Sequence, residues 1–311
     1  MNDPNPARLS LETAQTGFIG LGNMGLPMAA CLARAGCQVK GYDLDSDAMD
    51  KANQLGLQCT KNAFEAIAGC DLVFSMLPMG RHVEDLYCNT VFKAAHQGQI
   101  LVDCSTIDPD TSKKVAAQAS EAGLAMLDAP VSGGVAAAKD GRLTFMVGGD
   151  ADCLEQIRPW LNVMGQNIIH CGANGTGQIA KLCNNMMLAI QMISVSEGFH
   201  LARRLGLSDS KLFEVASIAS GQCWSLTSYC PVPGPVPASP ANHGYVPGFT
   251  AAMMVKDLKL ATHEAHCARA NIALGQHALK LYQTWIDQGG ADVDFSGIVQ
   301  MIEAGANGLK R

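Results

Sequence analysis

In the first half of the chain, short apolar runs alternate with stretches that carry apolar residues every three or four positions. Residues 18–21, 38–42, 71–77, 100–104, 125–127 and 144–147 read as strands, the third cut off by Pro78. Residues 24–35 read as a helix with Gly36 as its stop. Such alternation marks a parallel α/β sheet. Beyond Gly177 the pattern changes. Residues 179–204 form one nearly unbroken helical stretch, too long for a crossover in a compact sheet. After it only helical periodicity is found, over 208–220, 251–269, 275–288 and 297–304. A proline-rich run over 230–240 interrupts it and can be neither helix nor central strand. The predicted fold class is α/β. A leader (1–15) precedes a Rossmann-type doubly wound sheet domain (16–176), and a long connecting helix leads into an all-helical C-terminal domain for substrate binding and oligomerisation (177–311).

A length of 311 residues suits two cores rather than one, and 48% hydrophobic with 16% charged residues suits a folded chain. The formal charge of −6 speaks against nucleic acid or an anionic membrane as partner, and leaves room for a local anion site. Twelve cysteines form no CxxC pair, and Cys31, Cys70, Cys104 and Cys183 sit in apolar runs. Reduced, buried thiols and a cytoplasmic location are therefore expected. Residues 1–15 lack the apolar stretch of a signal peptide and read as an unstructured leader. No run of about 20 apolar residues offers a membrane span.

Gly20-Leu21-Gly22-Asn23-Met24-Gly25 follows the first strand and opens the first helix, the context that a G-x-G-x-x-G dinucleotide loop requires. The first glycine permits the tight turn, the second lets a pyrophosphate approach the backbone, and the third lets helix and strand pack closely. The helix N-terminus then presents N–H groups to the phosphates. Asp43 ends the second strand 23 positions after Gly20, near the expected spacing of about 20. A carboxylate there binds ribose hydroxyls and repels a 2′-phosphate. No arginine follows it, so NAD rather than NADP is the expected cofactor.

The segment from Phe18 to Ala29 resembles the opening signature of the β-hydroxyacid dehydrogenases. The likeness continues in order through Met76-Leu77-Pro78, Asp103-Cys104-Ser105-Thr106, Asp128-Ala129-Pro130-Val131-Ser132-Gly133-Gly134, Gly177 to Asn185, and Lys256-Asp257-Leu258. It implies that Met76, Leu77, Pro78 and His82 line the cofactor, although asparagine is commoner at the His82 position. It also implies that Thr106 lies beside the nicotinamide ribose and that Lys256 reaches towards the cofactor. The same residues admit plainer readings. Ser105 or Thr106 suits the cap of a helix starting near Asp108-Pro109, and Lys256 with Asp257 and Lys259 suits a solvated helix face. Ser132, Gly133 and Gly134 offer a hydroxyl and open backbone N–H groups, which suit a substrate carboxylate and equally an ordinary turn.

Lys181 lies among Ile179, Ala180, Leu182 and Cys183, an apolar and small-residue setting in which a lysine calls for a reason. By the resemblance it is the proton-transfer residue: an amine takes the alcohol proton in oxidation and an ammonium returns it in reduction. Asn185 is one helical turn on. It is expected to hold a substrate oxygen, with Asn184 orienting the helix. His263, Glu264, His266 and Cys267 could suggest zinc, but the spacing is not HExxH and no metal is expected.

The proline-rich run together with Ser239-Pro240-Ala241-Asn242 and Gly248-Phe249 resembles a loop of the 3-hydroxyisobutyrate dehydrogenases in that family. It implies NAD-dependent oxidation of 3-hydroxyisobutyrate to methylmalonate semialdehyde, a step of valine catabolism, with Trp224 and Phe249 beside the substrate methyl group. The alternatives are reduction of tartronate semialdehyde, succinic semialdehyde or glyoxylate, dehydrogenation of L-serine, or a catalytically silent NAD-binding sensor. A small hydroxy-carboxylate and other copies of the chain, as a dimer or tetramer, are the expected partners.

Overall fold

The computed structural model describes residues 9–308, with the side chains of 306–308 left undescribed. The chain divides after Lys181 into two compact units.

The first unit alternates strand and helix: β1 (Gln15–Ile19), α1 (Gly25–Arg34), β2 (Gln38–Tyr42), α2 (Ser46–Gln54), β3 (Gln58–Cys59), α3 (Ala63–Ile67), β4 (Leu72–Ser75), α4 (Gly80–Leu86), α5 (Phe92–Ala94), β5 (Ile100–Asp103), α6 (Pro109–Glu121), β6 (Ala125–Asp128), β7 (Val131–Ser132), α7 (Gly134–Lys139), β8 (Leu143–Gly148), α8 (Ala151–Met164) and β9 (Gly165–Gly172). Acidic and amide side chains start the helices: Asp45, Asn62, Asp108 and Asp150 each accept a backbone N–H in the first turn. Among the described residues, strands β3-β2-β1-β4-β5-β6 run parallel in that order, and β8 joins antiparallel to β6 between β7 and β9. This is the doubly wound arrangement expected.

Period two along each strand divides the core. Phe18, Leu72, Phe74, Ile100 and Val102 face one layer with Leu32 and Trp160, while Ile19, Val73 and Leu101 face the other with Tyr87 and Val115. Both faces are covered, which is why these strands read as continuous apolar runs. The short β3 and β7, and the half-exposed β9, carry no such signal and are not predicted from the sequence. Of the leader, residues 1–8 lie outside the described residues. Residues 9–14 make a turn in which Ala14 is buried and Leu9 and Leu11 pack on the core, so the folded unit starts ahead of β1.

Helix α9 (Thr176–Arg204) contains the boundary between the units, which the sequence placed at 177. The second unit continues with α10 (Asp209–Ala216), α11 (Trp224–Thr227), α12 (Ala251–Cys267), α13 (Ala273–Trp285) and α14 (Ile298–Gly308). Its core gathers Met192, Met254, Leu258, Tyr282, Trp285, Phe295 and Ile298. The proline-rich run is irregular up to a 3-10 turn at Pro240–His243. Cys230 and Val232 anchor it beside Phe199 and Leu226, and Ser239 Oγ donates to the Cys230 carbonyl at 2.6 Å. No helix among the described residues is long and apolar enough to cross a membrane.

All twelve cysteines are free thiols. Six are buried, four half-buried, and Cys183 and Cys267 are exposed. Burial pushes the Cys153 thiol up to about 12, with Asp150 adding to it, and the Cys230 thiol up to about 11.

Candidate active site

The loop between β1 and α1 shows three glycines in three physical roles. Gly20 has φ +92°, and a Cβ on it would lie 2.3 Å from the Met76 carbonyl oxygen. A Cβ on Gly25 would lie 1.9 Å from the Gly20 carbonyl oxygen, so helix and turn touch there. A Cβ on Gly22 would meet nothing within 4 Å. Glycine at 22 therefore serves no internal contact, and the space it leaves is a cradle of the kind a pyrophosphate needs. Leu21 is buried, Asn23 is exposed and Met24 is half-buried. Asp43 Oδ2 accepts the Leu21 N–H at 2.6 Å and Oδ1 accepts the Asp45 N–H at 2.9 Å, so the carboxylate is fixed beside the loop. Leu44 beyond it is 92% exposed and leaves that flank open.

A second cluster lies at the C-terminal ends of β4 and β5. Asp103 Oδ1 accepts Ser75 Oγ at 2.7 Å, Ser105 Oγ at 2.6 Å and the Ser105 N–H at 3.2 Å. Ser105 Oγ accepts the Leu77 N–H at 2.8 Å, and the Tyr87 hydroxyl lies 3.0 Å from Ser75 Oγ. With the Ser75 proton given to Asp103, Tyr87 is the donor of that pair. The network holds the Leu77-Pro78 turn against the Ser105-Thr106 turn. Burial pushes the Asp103 carboxyl up to about 6 against the pull of its serine hydrogen bonds, with Asp128 contributing to the rise. Asp128 is its register partner on β6. Helix α6 is capped by Asp108, so neither Ser105 nor Thr106 fills that role. Thr106 and Met76 are half-buried, as is His82 on α4, whose Nε2 accepts a hydrogen bond from Arg81 Nε at 3.3 Å.

At the end of β6, Asp128 Oδ1 accepts the Gly175 N–H at 2.6 Å and Oδ2 accepts the Gln178 N–H at 3.1 Å. A carboxylate thus closes the N-terminus of α9. The Gln178 amide accepts the Ile107 N–H at 3.1 Å and donates to the Ser105 carbonyl at 2.8 Å. Lys181, one turn further along α9, is 8% exposed. Ser132 ends β7, and Gly133 (φ 131°) and Gly134 (φ 71°) turn the chain into α7. Asp103, Asp128 and Gln178 are the members that sequence reasoning named only as parts of motifs. The available signal was an aspartate closing each of two adjacent apolar strands.

In the second unit, Asn185 is 2% exposed and its amide is held on both sides: Nδ2 donates to Asp257 Oδ2 at 2.6 Å and Oδ1 accepts from Asn184 Nδ2 at 3.1 Å. Lys256 Nζ is 3.4 Å from Asp257 Oδ1. The expected residues Asn184, Asn185 and Lys256 thus come together around Asp257, a buried carboxylate rather than part of a solvated face. Trp224 stacks on Tyr229 and Phe249 packs edge-on against Phe295, so Phe249 belongs to the core of this unit. The His263 ring and the Cys267 thiol are exposed neighbours, 3.7 Å apart.

Comparison with known proteins finds two family models and several relatives. A family model described as the NAD binding domain of 6-phosphogluconate dehydrogenase matches residues 15–172. A second, described as NAD-binding of NADP-dependent 3-hydroxyisobutyrate dehydrogenase, matches residues 175–302. The chain is 46% identical to a probable 3-hydroxyisobutyrate dehydrogenase of Mycobacterium tuberculosis, over 93% of this chain and 98% of that one. It is 44% identical to an NAD-dependent L-serine dehydrogenase of Pseudomonas aeruginosa, with the same coverage. The solved structure of a Mycobacterium tuberculosis 3-hydroxyisobutyrate dehydrogenase with L-serine superposes with a TM-score of 0.88 at 45% identity, covering 93% of this chain and 99% of that one.

Proposed function

The chain belongs to the β-hydroxyacid dehydrogenase family, NAD-dependent oxidoreductases of CH–OH groups, and from that premise we propose that it oxidises 3-hydroxyisobutyrate to methylmalonate semialdehyde with Lys181 as the proton carrier. The observation that carries the mechanism is Lys181 itself: a buried lysine in a helix whose first turn is hydrogen-bonded to the ends of β5 and β6. Bound NAD supplies the hydride acceptor. The Gly20–Gly25 loop and the α1 N-terminus hold its pyrophosphate, and Asp43 takes the adenine ribose hydroxyls. One family description names NADP. The Asp43 carboxylate, with no arginine beside it, opposes a 2′-phosphate by charge repulsion and favours NAD in this chain.

In this reading Met76, Leu77, Pro78, His82 and Lys256 complete the cofactor contacts, and Thr106 flanks the nicotinamide ribose. Ser132, Gly133 and Gly134 bind the substrate carboxylate, while Asn185, oriented by Asn184, holds a substrate oxygen. Lys181 in its neutral form accepts the hydroxyl proton as the carbonyl forms, and as an ammonium returns it in the reverse direction.

L-Serine is the second reading, favoured by the relative of nearly equal identity named for it. The two substrates share a carboxylate and a CH2OH group and differ in a methyl against an ammonium group. The deciding test is NADH formation by the purified protein with 3-hydroxyisobutyrate, L-serine, glycerate and 3-hydroxypropionate. A kcat/KM highest for 3-hydroxyisobutyrate is expected. L-Serine in first place would replace the substrate, and equal rates for 3-hydroxypropionate and 3-hydroxyisobutyrate would remove the argument from the methyl group. Lys181→Ala should lower kcat by about 10²–10⁴-fold with NADH binding retained, and an undiminished kcat would refute the role of the lysine.

A further inference from the structure

We propose that Gln178 is a positioning residue for proton transfer, setting the rotation of the α9 first turn and thereby the place of Lys181; this rests on the role proposed for Lys181 above. Gln178 is fully buried, and its side-chain amide is used at both ends. Oε1 accepts the Ile107 N–H at 3.1 Å and Nε2 donates to the Ser105 carbonyl at 2.8 Å, so the amide bridges the residues on either side of Thr106. The main-chain N–H of the same residue donates to Asp128 Oδ2 at 3.1 Å. One residue is thus bonded to two neighbouring strand ends, through its backbone to β6 and through its side chain to the turn after β5. The preceding Gly177 allows no slack: a Cβ there would lie 2.3 Å from the Met146 carbonyl oxygen and 2.7 Å from Asp128 Oδ2.

The geometry makes the side-chain bridge the sensitive element. Lys181 follows Gln178 by about 4.5 Å of rise and about 300° of turn. Asp128 fixes how far the helix start stands from the sheet, because its bonds lie at the helix end. The Gln178 amide acts at a radius from the axis and therefore opposes rotation about it. A rotation of about 10° at a side-chain radius of about 6 Å displaces the lysine nitrogen by about 1 Å. A displacement of about 1 Å of a reacting group costs about 100-fold in rate. The cofactor loop between β1 and α1 and the Asp43 carboxylate are attached elsewhere and do not depend on this amide.

The test uses two variants of the full chain beside Lys181→Ala. Gln178→Met removes both hydrogen bonds at similar volume. Gln178→Glu keeps the shape and the acceptor for Ile107 N–H, but as a carboxylate has no proton for the Ser105 carbonyl. Protonated, the introduced carboxyl regains that donor, and full burial of this position keeps its pKa above the ordinary range. For Gln178→Met, kcat should fall about 30–100-fold, a larger loss than the rise in KM for NAD or the fall in NADH affinity read by fluorescence, which follow because the bridge also flanks Thr106. For Gln178→Glu, the deficit relative to wild type in semialdehyde reduction should shrink as pH falls. Should Gln178→Met fail to fold by thermal unfolding, the pH profile of the isosteric variant decides alone. Wild-type kcat in Gln178→Met, loss of NADH affinity in step with kcat, or a pH-independent deficit in Gln178→Glu would each overturn the proposal. These results are distinct from failure of the lysine reading, which shows as an active Lys181→Ala.

Discussion

Replacing Asp103 by asparagine isolates the energetic effect of one buried charge. The carboxyl titrates at about 6 in the folded chain against an ordinary value of 3.8, chiefly because burial disfavours the anion. Between those values the native state binds more protons than the unfolded state, so stability falls as pH rises through the window. The stabilisation is complete below about pH 4 and lost above about pH 6, and its full span is about 3 kcal/mol at 1.36 kcal/mol per unit. Between pH 4.5 and 7 the linkage relation leaves about 2 kcal/mol of it. In Asp103→Asn the amide oxygen can still accept from Ser75 and Ser105. The NH2 group, however, takes the place of Oδ2, which has no hydrogen-bond partner among the described residues. That adds a cost of about 1–3 kcal/mol that does not vary with pH. Urea unfolding of both proteins without cofactor, at several pH values across this range, gives the difference directly. Wild type minus variant should fall by about 2 kcal/mol from pH 4.5 to 7. Parallel pH dependences would refute a raised Asp103 pKa.

Three further substitutions probe the cofactor loop. Gly25→Ala places a methyl carbon against the Gly20 carbonyl and should destabilise the fold by about 3 kcal/mol, read by chemical unfolding. Gly22→Ala should leave stability unchanged or raised by about 0.4–1 kcal/mol, while raising KM for NAD at least about tenfold because the methyl group enters the pyrophosphate space. A Gly22→Ala variant with normal KM would show that the cradle is not the phosphate site. Asp43→Ala removes the acceptor of the Leu21 N–H as well as the ribose ligand. It should raise KM for NAD about 10–100-fold and narrow the preference over NADP, as measured by steady-state kinetics with both cofactors.

The elements legible in the sequence were those with a local physical signal. Residues 38–42 were read as a strand and fold as β2, because an apolar pattern ended by Asp43 needs no distant partner to be recognised. Helix α12 was read over 251–269 and observed to Cys267, since its apolar positions recur at helical spacing. Strand β9 escaped because Gly165-Gln166-Asn167-Ile168-Ile169-His170-Cys171-Gly172 is half exposed, lacks a continuous apolar run and becomes a strand through pairing with β8. The glycine fingerprint was legible for the same local reason. The polar network was not. Gln178 bonds Ser105 across 73 residues and Asp128 bonds Gly175 across 47, and only folding determines which buried amide meets which carbonyl.

The free thiols give the chain an internal gauge of its own opening. Alkylating reagents and peroxides attack the thiolate; burial raises the thiol pKa of residues such as Cys104 and Cys153 and also shields them. A folded molecule with twelve cysteines should therefore react first at Cys183 and Cys267 and more slowly at the half-buried Cys59, Cys88, Cys171 and Cys223. The remaining groups label at the rate at which their surroundings come apart. Cys104 and Cys153 report on the sheet unit and Cys230 on the helical one, so the order of modification becomes a record of which half of the molecule loosens first.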